Sequence, residues 1–67
     1  MKFYDWILKF DKVDLPIGDL ARDIENDANF PKDLATWSEL ENYLPASEDA
    51  VYETAKNAFN YFLSEFQ

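Results

Sequence analysis

The sequence predicts an all-α fold of four helices in a single domain. Three observations carry this. Apolar residues recur at intervals of three and four in four separate stretches, the spacing that lines one helical face. Prolines and a capping motif punctuate those stretches where helices start and stop. The core material is largely aromatic, with six Phe, four Tyr and two Trp among 67 residues and no cysteine. Each aromatic buries roughly 150–250 Å². A chain of this length hides only about 60% of its unfolded surface, so without disulfide staples it depends on such large side chains.

The first helix is expected over residues 3–10. Phe3, Trp6, Ile7 and Phe10 fall at i, i+3, i+4 and i+7. Apolar residues at 6, 7 and 8 break the period of two that a strand needs. Asp11 to Asp14 is a polar link, too short for a domain boundary.

The second helix is expected over 16–29. Pro16 suits the first turn, where its missing N–H costs nothing. The cap falls on Asp14 or Leu15, and Asp14 has the better side chain for it. Gly18 in the first turn marks either close approach of another backbone or a later helix start. Ile17, Leu20, Ala21, Ile24 and Ala28 form the inner face; Asp19, Asp23 and Asp27 repeat at i, i+4 and i+8 on another. Phe30, restricted by Pro31, turns inward and ends the helix. Residues 32–35 form the connecting loop.

Thr36-Trp37-Ser38-Glu39 matches a capping box and opens a third helix over 37–44. Trp37, Leu40 and Leu44, with Tyr43, form its inner stripe, and Pro45 ends it. Ser47 caps a fourth and longest helix over 48–65. Its stripe is Val51, Ala55, Ala58, Phe59, Phe62, Leu63 and Phe66.

Phe3-Tyr4-Asp5-Trp6-Ile7 resembles the Phe-Tyr-x-Trp-Leu opening of the YozE-like family of small bacterial proteins. Leu20-Ala21-x-Asp23-Ile24-x-x-Asp27-x-x-Phe30-Pro31-Lys32 is similar to that family's central signature, and Glu39-Leu40-x-x-Tyr43-Leu44 to its third-helix pattern. The resemblance covers nearly the whole chain. It implies a compact four-helix bundle of the sterile-alpha-motif-like type and supplies no activity. The link carrying Pro45 is shorter than in relatives, and Ala58 and Phe59 stand where relatives place a tryptophan region. A binding surface on the last two helices is therefore not carried over.

Composition narrows the function. Six basic residues face fourteen acidic ones, a net charge of −8. Such a field repels nucleic acid and anionic lipid. With no histidine, no cysteine and no glycine-rich phosphate loop, the usual catalytic groups are missing, and an enzyme is not expected. Asp23 and Asp27, one turn apart, give too few ligands for a hard cation; they read as a solvated face, with Asp27 accepting backbone N–H groups at the corner. No metal and no cofactor is expected. No apolar run approaches the ~20 residues of a membrane span, and the start lacks the layout of a signal peptide, so a cytoplasmic protein is expected.

Trp6 and Trp37 lie on apolar stripes and read as core rather than as binding platforms. Tyr4, Tyr52 and Tyr61 are less committed to an inner face, and exposed tyrosines are favoured at interfaces. Lys32 either pairs with a carboxylate or is solvated. The expected function is a non-enzymatic protein–protein interaction module with an unidentified protein partner. Its candidate contacts are Tyr4, Tyr52, Tyr61, Asp23, Asp27 and Lys32. The alternative is an acidic nucleic-acid mimic that binds a DNA-binding protein.

Overall fold

The computed structural model describes residues 1–44 and 50–65. Four α-helices follow one another: α1 (Phe3–Ile7), α2 (Pro16–Glu25), α3 (Trp37–Tyr43) and α4 (Ala50–Glu65). No strand occurs among the described residues. The predicted all-α class therefore holds, with corrections at several boundaries.

The first helix is shorter than its apolar period. α1 stops at Ile7, and Leu8–Phe10 continues as a 3₁₀ helix. The tighter turn carries the chain through Asp11 N–H to the Leu8 carbonyl at 3.2 Å and Val13 N–H to the Phe10 carbonyl at 3.0 Å. This folds residues 11–13 back against the start of α2. Gly18 makes that possible: a Cβ there would overlap the Val13 carbonyl oxygen and lie 2.8 Å from its carbon. Of the two readings of Gly18, close backbone approach is the one that applies.

α2 begins at Pro16, with Leu15 as the extended cap residue. Leu15 offers no capping side chain, so the preference for Asp14 fails. The Leu15 carbonyl takes the Gly18 and Asp19 N–H groups at 2.8 and 3.2 Å. At its other end α2 stops at Glu25, short of residue 29. Asp27 is the reason. Its carboxylate accepts the Asn29 N–H at 2.9 Å, and its carbonyl accepts the Phe30 N–H at 3.1 Å. Such local side-chain bonds compete with the helical ladder. Ala28 consequently leaves the inner face and is exposed.

Phe30 turns inward as expected and is buried. Leu34 was not expected in the core, yet only 1% of it is exposed. A turn closed by its N–H on the Pro31 carbonyl at 3.1 Å swings it inside. α3 opens with the predicted capping box: Thr36 Oγ1 accepts the Glu39 N–H at 3.3 Å, and Glu39 Oε1 accepts the Thr36 N–H at 3.2 Å. The Ser47 cap and Phe66 lie outside the described residues.

The core is aromatic at its centre. Phe3 is fully buried, and its ring lies 5.1 to 5.8 Å from those of Phe59, Phe62 and Trp6. Leu20, Ala21 and Ile24 of α2 close it from one side. Ala21, Ala55 and Ala58 are all buried, and their small side chains let α2 and α4 approach closely. The predicted α4 stripe is too wide, because Val51 and Leu63 are exposed while Ala55, Ala58, Phe59 and Phe62 are buried.

Candidate functional site

The helix faces that α2 and α4 leave uncovered meet in a groove. α2 turns Leu20, Ala21 and Ile24 inward, which leaves Asp19 and Asp23 on its α4-facing edge. α4 buries Ala55, Ala58 and Phe62, which leaves Ala50, Val51 and Thr54 along its first turns. Between them opens a cleft of about 220 Å³ lined by Pro16, Leu20, Ala50 and Val51, with Asp19 and Asp23 on the rim. A second cleft of about 280 Å³ continues from Pro16 and Thr54 along Ile17, Asn57 and Ala58 to Tyr61. Both fall below the roughly 300–1,000 Å³ of small-molecule pockets. The two clefts share Pro16 and Thr54. Leu15, Val51 and Tyr61 are among the most exposed large apolar side chains described, at 62%, 41% and 57%.

The six expected contact residues do not share one surface. Asp23 and Tyr61 reach the groove, at opposite ends. Tyr4, Asp27 and Lys32 gather instead at the corner after α2. There Tyr4 stacks on Phe30 at 5.8 Å, Phe30 meets the Tyr43 ring edge-on at 4.8 Å, and the Tyr43 hydroxyl donates to the Asp27 carboxylate. Asp27 therefore does not continue an acidic face with Asp23; it is half-buried and engaged. Lys32 lies 5.5 Å over the Tyr4 ring, a cation–π arrangement that neither expectation for it included. This cluster ties the corner after α2 to α1 and α3.

Tyr52 occupies a third place, at the α3–α4 edge. It donates its hydroxyl to Glu41 at 2.7 Å and packs edge-on against Trp37 at 5.6 Å. The hydrogen bond to Glu41, aided by lost hydration and by the charges of Glu41 and Glu53, holds the phenol above the ordinary tyrosine range. Trp6 is core, 1% exposed, with its indole N–H on Glu65 at 3.0 Å; Trp37 is half-buried.

Arg22 fixes the α2 side of the groove. Its guanidinium donates to the Asp11 carbonyl at 2.6 Å and pairs with the Asp19 carboxylate. It thus ties the link before α2 to the helix and partly neutralises one rim carboxylate. Among the described residues no group of three or more metal-ligating side chains is gathered, and Asp23 and Asp27 lie on different elements. The groove thus presents apolar side chains and the Thr54 hydroxyl beside the Asp19 and Asp23 carboxylates.

Pro16, Val51 and Thr54 line the groove but are not among the contacts expected from the sequence. The apolar period places Val51 on the inner stripe instead. The available signal was the width of apolar character on α4, more than one neighbouring helix can cover.

No helix among the described residues is long and apolar enough to cross a membrane. The family model described as YozE SAM-like fold matches residues 2–67. Neither a curated protein nor a solved structure matches the chain.

Proposed function

The chain belongs to the YozE SAM-like family, and on that premise we propose that it is a non-enzymatic protein–protein interaction module whose contact surface is the α2–α4 groove. Membership supplies the fold and no activity; a fold alone does not assign a task. One observation carries the reading. An apolar groove stays open between two helices, with Val51 and Tyr61 exposed along it and two carboxylates on its rim. Tyrosine is enriched at protein contact sites, whose apolar centres are rimmed by polar groups. The missing histidine and cysteine support the non-enzymatic half, and the lack of cysteine fits a reducing cytoplasm.

The carboxylates of the described residues occur on all four helices and in both links before α3. That spread gives the alternative, a nucleic-acid mimic with one acidic face, no specific support.

The test is affinity capture with the wild-type chain, Val51→Glu and Tyr61→Glu, quantified by mass spectrometry. The expected result is a protein retained by the wild type and depleted by both variants. Capture of the same proteins by all three would refute the groove as the contact surface.

A further inference from the structure

The groove has an apolar floor and a rim of one sign. Asp19 is already paired with Arg22. Asp23 is exposed and, among the described residues, has no hydrogen-bond or ion-pair partner. The two clefts share Pro16 and Thr54, so the apolar track is continuous from Ala50 to Tyr61. Along α4 that is twelve residues, and their eleven steps span roughly 16 Å at about 1.5 Å per residue. This matches a helical segment of about three turns, which presents apolar anchors at i, i+4 and i+7.

We propose that the groove's occupant is a basic amphipathic helix of a partner protein, with apolar side chains in the two clefts and a Lys or Arg beside Asp23. The proposal deepens the docking reading above and rests on it. Charge selects the class of partner. A second copy of this chain would bring another net −8 to the contact, and two like fields of that size oppose association. A cationic helix meets a complementary potential, gains a partner for Asp23, and is steered to the site.

The test titrates ¹⁵N-labelled protein with two synthetic peptides of about 12 residues, sharing one leucine pattern at i, i+4 and i+7. One carries lysines at the polar positions and the other glutamates. The lysine peptide is expected to shift the amides of Leu20, Asp23, Val51 and Thr54 saturably, and less tightly as salt is raised. Asp23→Lys should weaken that peptide about two- to fivefold, the range of an exposed ion pair, and strengthen the glutamate peptide by a similar factor. Val51→Glu should abolish binding of both; each variant's circular dichroism confirms that it remains folded. Equal or tighter binding of the glutamate peptide overturns the basic-partner inference while leaving the groove as a docking surface. Self-association of the free protein through the groove overturns it in favour of a second copy. No groove shift with either peptide at millimolar concentration removes the docking reading as well.

Discussion

The Tyr43 hydroxyl donates a hydrogen bond to the Asp27 carboxylate, joining the end of α3 to the residue that terminates α2. Asp27 serves two partners, since its other carboxylate oxygen holds the Asn29 N–H at 2.9 Å. The Asp27 and Tyr43 positions of the central and third-helix motifs therefore meet in space. Tyr43→Phe removes one bond and should cost about 0.5–1.5 kcal/mol. Asp27→Ala removes both and should cost more, with Asp27→Asn in between. A double-mutant cycle by urea unfolding isolates the Tyr43–Asp27 coupling; perfect additivity would mean that the bond contributes nothing.

Gly18 gives a prediction of sign. At a free helical position Gly→Ala gains about 1 kcal/mol. Here the added Cβ overlaps the Val13 carbonyl, and forced repacking costs about 1–3 kcal/mol. Gly18→Ala should therefore lower stability, as measured by the denaturant midpoint. A more stable Gly18→Ala protein would show that the link 11–13 is free to move away from α2.

Phe3 is fully buried among three aromatic rings. Phe→Ala in such a site costs about 3–5 kcal/mol. The whole stability of a chain this size is only about 3–10 kcal/mol. Phe3→Ala should leave the protein largely unfolded or marginal at 25 °C by circular dichroism. A cooperative melt close to the wild type's would place the core's centre elsewhere.

Much of this architecture was legible in the sequence, and the exceptions have physical causes. The capping box at Thr36–Glu39 and the start of α2 at Pro16 are local chemistry, so residue order alone reveals them. The end of α2 was legible in part: Asp27 accepts a backbone N–H at the corner as the sequence suggests, but its bond to Tyr43, sixteen residues away, has no local signal. Leu34 looked like an isolated loop residue because its burial depends on a turn that no apolar period announces. The groove was the least legible feature. Periodicity marks which face of α4 is apolar but not how much of that face α2 covers, so Val51 was read as core. The candidate tyrosines were recognisable as edge residues, yet only the fold separates Tyr61 in the groove from Tyr4 in the corner and Tyr52 against α3.

Tyr52 predicts a pH dependence. Its phenol is held above the ordinary range chiefly by the hydrogen bond to Glu41. A folded-state value raised above the unfolded one means that the proton favours folding. The contribution is fully present below about pH 10, the unfolded tyrosine value, and is lost as pH rises through the raised folded value. Tyr52→Phe and Glu41→Gln should each remove a high-pH component from the tyrosinate absorbance titration. A titration unchanged by Glu41→Gln would show that Glu41 does not hold the Tyr52 proton.

The central claim is that the α2–α4 groove contacts a protein partner, and site-specific photo-crosslinking in the native host tests it most directly. p-Benzoylphenylalanine replaces Val51 in the groove, or Asp33 in the corner loop as a control outside the lining. The account predicts a discrete crosslinked species of defined mass from position 51 that is absent from position 33 and suppressed by Asp23→Lys. The same species from both positions, or none from position 51 while position 33 crosslinks, would contradict it.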